Sequence, residues 1–174
     1  MADYFLEAPD ADLVRMGVVE RARLPERGSW VRALRTAQEA PAQEARSFVY
    51  AWLADGKAIG FTSVKDIRFG QDASLHLHMW SAAHRGRGLG GVLFSLAALA
   101  AFDRFRLQSA VCEPKADNPM PNRMLAKAGF PLLGTRVGRS SELSQVTTLN
   151  RYAVSRAVAE AAVRQAGTLP PQSP

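Results

Sequence analysis

The 174-residue sequence predicts a single α/β domain, and three observations predict it. Asp55-Gly56 sits between two β-prone runs, Ser47 to Leu53 and Lys57 to Val64, the strongest short-range signal for an antiparallel hairpin. Leu75, Leu77 and Met79 then alternate with His76, His78 and Trp80, the period of a strand with one apolar face. A glycine-rich stretch, His84-Arg85-Gly86-Arg87-Gly88-Leu89-Gly90-Gly91, runs straight into the apolar segment Val92 to Phe102, and Leu107 to Cys112 follows as a further strand. A helix between two strands makes a β-α-β crossover, so those two strands are expected to be parallel.

The remaining elements follow from breakers and spacing. Pro9, Pro25 and Pro41 divide residues 1 to 45 and leave room for two helices; in the second, Ser29 is a candidate cap and Trp30, Val31 and Leu34 share one face. The helix from about Leu89 to Phe105 is apolar nearly all round, so it should be buried against the sheet. Asp117-Asn118-Pro119 breaks the chain, Asn122 to Ala128 suggests a short helix stopped by Gly129, and Phe130 to Val137 and Val146 to Val154 suggest strands. Val154, Val158, Ala161 and Ala162 fall at helical spacing before Gly167. The expected organisation is one domain over residues 1–167 and a frayed tail over 168–174.

Composition narrows the function. A hydrophobic share of 47% with 22% charged residues is ordinary for a globular chain and argues against disorder. The net charge of +6 favours an acidic ligand, but the cations are scattered and no basic stripe with interleaved aromatics points to nucleic acid. A lone cysteine, Cys112, excludes an intrachain disulfide and every multi-cysteine metal site. No apolar run is long enough to span a bilayer, and the start carries acids where a secretory signal carries cations. The expectation is a cytoplasmic protein without a metal.

The chemistry centres on the glycine-rich stretch. Residues without Cβ let the main chain approach a ligand closely, and the helix behind leaves its first N–H groups unpaired with a partial positive charge. Arg85 and Arg87 add charge, which makes the turn a candidate phosphate site.

With these residues in place, the sequence resembles the GNAT superfamily of acetyl-CoA-dependent N-acetyltransferases. Arg85-Gly86-Arg87-Gly88-Leu89-Gly90 matches that family's phosphate loop, and Asn118, Lys127, Gly129 and Phe130 hold the spacing of a second family segment. The resemblance covers about residues 46 to 137. It implies a mixed sheet of six to seven strands, flanked by helices, whose middle parallel strands splay to admit acetyl-CoA as cosubstrate. It implicates Arg85, Gly86, Arg87, Gly88, Leu89 and Gly90, with Gly91 behind them, in holding the pyrophosphate. By position it implicates His78 and Trp80 in binding the pantetheine arm through their backbone, and Asn118 near the thioester. Two positions depart from the pattern: Pro121 replaces a small residue, and Leu125 stands where many members place a tyrosine that protonates the departing thiolate.

The acceptor amine must lose a proton before it can attack, so a base is needed. His76 and His78 project from one strand face and are expected to point somewhere more polar than the core; structural histidines are the alternative. Glu113, at the end of the neighbouring strand, is the other candidate, as a base or as a solvated strand-end carboxylate. The oxyanion would need a backbone N–H, expected near Trp80, and Cys112 is expected to be inert. The acceptor is a primary amine of a small molecule or a peptide, and the C-terminal apolar stripe leaves a homodimer open.

Two other functions compete. Gly86-x-Gly88-x-x-Gly91, with Glu113 about twenty residues on, also spells the dinucleotide fingerprint of an NAD-binding oxidoreductase. The preceding hairpin, the short remainder of the chain and the five residues between strand and glycines argue against it. The third is a catalytically silent acyl-CoA-binding module, suggested by the missing tyrosine.

Overall fold

Asp55 and Gly56 both take positive φ, 50° and 73°, the twist of a two-residue type I′ turn. The turn joins β1 (Ser47–Ala54) to β2 (Lys57–Arg68) as the expected antiparallel pair. A computed structural model of the chain describes residues 1–167 apart from 17, 19, 81, 142 and 143; the expected frayed tail, 168–174, lies outside the described residues.

A second hairpin turns β2 back into β3 (Asp72–Met79), which runs antiparallel to it. β3 then pairs in parallel with β4 (Ser109–Cys112) through the crossover helix, as the sequence predicts. β5 (Leu132–Gly138) and β6 (Thr147–Val154) complete a six-stranded mixed sheet of order β1-β2-β3-β4-β6-β5. This is not a doubly wound sheet. The strand that leads into the glycines, β3, has an antiparallel neighbour on one side, which removes the dinucleotide fold.

The helices lie on two sides. In order they are α1 (Ala2–Leu6), α2 (Asp10–Arg15), α3 (Arg27–Glu39), α4 (Leu89–Phe105), α5 (Pro119–Lys127) and α6 (Arg156–Gln165). α4 is buried as its all-round apolarity requires: Phe94, Ala98, Ala101 and Phe105 pack with Ile59, Val64, Ile67 and Leu75 from the sheet. α6 covers α4, and Arg156 reaches Asp103 at 2.6 Å to tie the two. On the other side a smaller cluster, Phe5, Ala8, Leu13, Val18 and Phe61, seats the N-terminal helices against β2.

Several boundaries differ from expectation. α3 begins at Arg27, so Ser29 lies inside its first turn, where its hydroxyl accepts from Arg32 at 3.0 Å instead of capping. Trp30 stacks on Phe5 at 5.2 Å, whereas Val31 is 42% exposed and not on that face. α5 starts three residues earlier than predicted, because proline is well suited to the first helical position. Val154 belongs to β6, and Ser155 caps α6 by accepting the Val158 N–H at 3.3 Å.

Gly60 sits opposite Met79, and a Cβ there would lie 2.5 Å from the His78 carbonyl oxygen and 2.7 Å from the Trp52 ring. Gly60→Ala is expected to destabilise the protein by about 1–3 kcal/mol, the usual cost of overpacking. Urea unfolding of the two proteins measures this.

Candidate active site

The site forms where β3 and β4 stop pairing. Their last paired residues are Leu75 and Cys112, yet β3 continues to Met79 while the chain after Cys112 turns through Glu113, Pro114 and Lys115. The Asn150 N–H donates to the Pro114 carbonyl at 3.0 Å, and the Ala116 N–H to the Thr148 carbonyl at 2.9 Å. That segment therefore follows β6, and a cavity of about 1230 Å³ fills the gap.

The phase of the β2 ladder decides which β3 backbone groups face this gap. Trp80 donates its backbone N–H to the Ile59 carbonyl at 3.1 Å. Because antiparallel pairing uses alternate residues, His76 and His78 also spend their backbone groups on β2. Leu77 and Met79 turn theirs to the gap. The backbone expectation for His78 and Trp80 is thus off by one residue, and the Trp80 N–H is not an available oxyanion donor. The Trp80 indole N–H is also engaged, donating to the Ala58 carbonyl at 2.8 Å.

The glycine-rich turn closes one end of the cavity. Gly86 and Gly88 take φ of 74° and 79°, and a Cβ on either would meet nothing within 4 Å. Their requirement is conformational, and the space beside them is open. Leu89 starts α4 directly after Gly88, so the unpaired N–H groups of the first helical turn belong to this end. Arg85, Gly86, Gly88, Leu89, Gly90 and Gly91 all line the cavity. Arg87 is exposed and is not among the lining residues. Arg85 does not extend a free charge: its Nε and Nη2 donate to the Met79 carbonyl at 3.2 and 2.9 Å. The cations that sequence reasoning missed here are Arg123 and Lys127, one helical turn apart on α5. An i,i+4 basic pair inside the family's Asn segment, which itself includes Lys127, was the available signal. The open turn, the helix terminus and these cations fit a pyrophosphate.

The other wall carries the predicted catalytic residues. His76, His78 and Glu113 all line the cavity. The face of His78 is not polar as expected: its ring stacks on Phe61 at 4.9 Å and meets the edges of Phe5 at 5.3 Å and Tyr4 at 5.9 Å. α1 supplies Tyr4 and Phe5, which no feature of the sequence places here. Burial pushes the imidazoles down, His76 to about 4 and His78 to about 3, so both are neutral at pH 7.

Glu113 is buried rather than a solvated strand end. Arg136 of β5 grips both carboxylate oxygens, at 2.8 Å through Nε, and Arg151 of β6 donates at 3.0 Å. The hydrogen bonds from Arg136 hold its carboxyl below the ordinary range. Cys112 is buried and its thiol is pushed up, which leaves it unreactive as expected. Leu125, in the family's tyrosine position, is fully buried in the core and does not line the cavity. Asn118 lines the cavity as the residue before α5.

Comparison with known proteins agrees with this geometry. The profile of the acetyltransferase (GNAT) domain family matches residues 2–131. RimJ from Mycobacterium smegmatis, solved with a CoA disulfide, superposes with a TM-score of 0.71 at 15% identity, over 96% of this chain and 85% of that one. A point mutant of spermidine N-acetyltransferase SpeG from Vibrio cholerae superposes with a TM-score of 0.65 at 13% identity, over 91% and 94% of the two chains. A search of curated protein sequences finds no match.

The histidines set an acid limit on stability. In the unfolded chain each binds a proton near pH 6.5, whereas in the fold they bind it only near 4 and 3. Their contribution is therefore complete above about pH 6.5 and is lost as pH falls towards 4, before most carboxylates titrate. Thermal melts from pH 7 to 4 should show Tm falling, and His78→Phe should flatten the upper part of that fall.

Proposed function

The chain belongs to the GNAT acetyltransferase family and is, with it, an acetyl-CoA-dependent N-acetyltransferase; we propose that it acetylates a primary amine by direct attack, with the following roles for its residues. The observation that carries this reading is the open glycine turn at the head of α4, facing the gap where β3 and β4 part. Acetyl-CoA supplies the acetyl group as a thioester, which an uncharged amine attacks with release of CoA.

The backbone of residues 86–91 and the first turn of α4 hold the pyrophosphate, helped by Arg123 and Lys127. Arg85 holds the end of β3 in place. The free backbone of Leu77 binds the pantetheine arm, and its N–H is the donor best placed for the oxyanion. Asn118 contacts the cofactor from the opposite wall. His76, the first residue beyond the part of β3 that pairs with β4, takes the proton of the attacking amine. Glu113 lies across the gap and favours the charged form of His76, as their mutual electrostatic influence indicates. Its own two oxygens are already engaged by Arg136 and Arg151. His78, enclosed by aromatic rings, shapes the acceptor wall. The missing tyrosine needs no substitute, since a thiolate with an ordinary pKa of about 8.5 can depart without one.

The acceptor is an amine of a small molecule or a peptide N-terminus; SpeG is a spermidine acetyltransferase, which supports a soluble amine. No helix of the described residues is long and apolar enough to cross a membrane, in keeping with work in the cytoplasm. A homodimer is supported by β5, an edge strand that exposes Leu132, Leu133 and Val137.

Calorimetry of acetyl-CoA tests the cofactor site. Wild type is expected to bind at micromolar strength, and Gly88→Glu, which places a side chain and a negative charge at a positive-φ position, is expected to abolish binding. NADH binding in place of acetyl-CoA would overturn the reading. For the chemistry, His76→Gln should lower kcat by about 100-fold, the lower end for a lost general base, with acetyl-CoA affinity unchanged. Because neither histidine titrates near 6.5, kcat/KM should show no acid limb there.

A further inference from the structure

Asn118 occupies the N-cap position of α5 but does not behave as a cap. Asparagine is among the best capping residues, and its side-chain oxygen normally accepts an N–H two or three positions along. Here its side chain makes no capping bond. Pro119 and Pro121 have no N–H, so of the two donors a capping residue can use, that of the third helical position is missing and only that of Met120 remains. Pro121 is also the residue that departs from the family pattern.

The backbone beneath Asn118 is held by a separate device. The Asn122 side-chain amide donates to the Asn118 carbonyl at 2.6 Å and to the Lys115 carbonyl at 2.9 Å. Its oxygen accepts from the Asn150 side chain of β6 at 2.7 Å. One half-buried side chain thus ties both ends of the 115–118 turn to the sheet, and Lys115 and Asn118 both line the cavity.

We propose that Pro121 and Asn122 are positioning residues of the acetyl-CoA site: Pro121 keeps the Asn118 side chain from capping α5, and Asn122 fixes the turn that presents it. The proposal rests on the cofactor reading above. It gives the departure at Pro121 a function in this chain, since the proline removes one of the two helix donors that compete for the Asn118 side chain.

The test measures acetyl-CoA affinity by calorimetry together with Tm, in wild type, Asn118→Ala, Pro121→Ala, Asn122→Ala and the double variant Asn118→Ala/Pro121→Ala. Pro121→Ala restores the missing N–H and lets Asn118 cap. It should weaken acetyl-CoA binding by about 3- to 10-fold with Tm unchanged or raised, which a purely structural proline would not do. Asn122→Ala should weaken binding by a similar factor. In the double variant, Pro121→Ala should add nothing to the loss from Asn118→Ala, because both act through one side chain. Binding like wild type in Pro121→Ala, or additive losses in the double variant, overturns the proposal. If Asn122→Ala does not fold, Pro121→Ala decides alone, since it removes no hydrogen bond. Failure of wild type to bind acetyl-CoA would strike the cofactor reading instead, and is distinguishable for that reason.

Discussion

Hydrogen bonding between the two parallel strands ends at Leu75 and Cys112, and the site depends on that ending. A β-sheet normally continues pairing until a strand stops, because an unpaired backbone group away from water is costly. Here β3 keeps its antiparallel partner and loses its parallel one, so it retains its direction while one row of backbone groups becomes available. The departing segment is stabilised by a different neighbour, β6, through Pro114 and Ala116. The gap is therefore built from satisfied backbone on both outer sides, with the inner rows facing the cavity.

The charges around the gap are arranged differently from the net charge. An overall +6 suggests a uniformly attractive field for anions, but the cations that reach the cavity are local. Arg123 and Lys127 stand beside the glycine turn, whereas Arg136 and Arg151 are consumed by Glu113 and Arg85 by a carbonyl. Taking Glu113 out of water is tolerable only because two guanidiniums accompany it. The histidines avoid the same problem by staying neutral, His78 among aromatic rings.

Elements that are decided locally were legible in the sequence. The Asp55-Gly56 hairpin, the glycine turn, the buried α4 and the parallel strand after it all follow from residues close to one another. What sequence could not supply is whatever depends on a distant partner. The side-chain alternation of β3 was correctly assigned, but which backbone row faces the gap is set by its pairing with β2. Likewise Arg85 and Glu113 line the cavity, yet the groups that occupy them, the Met79 carbonyl and two arginines from β5 and β6, lie outside the motifs themselves. α1 escaped notice because a five-residue helix carries too little periodicity to register, although its Tyr4 lines the cavity and its Phe5 packs against His78.

The parted strands also have a consequence for solubility. Two facing rows of unpaired backbone form a slot into which an extended segment of another chain could add itself as a strand, the usual route to edge-to-edge aggregation. This slot is poorly suited to an intruder. On the β3 side the last outward carbonyl, that of Met79, is already capped by the Arg85 guanidinium, so the row available to a new ladder is cut short. A flexible thioester arm needs only one or two backbone contacts, whereas a strand needs an uninterrupted series. The same opening can therefore admit a thin ligand and resist an added strand.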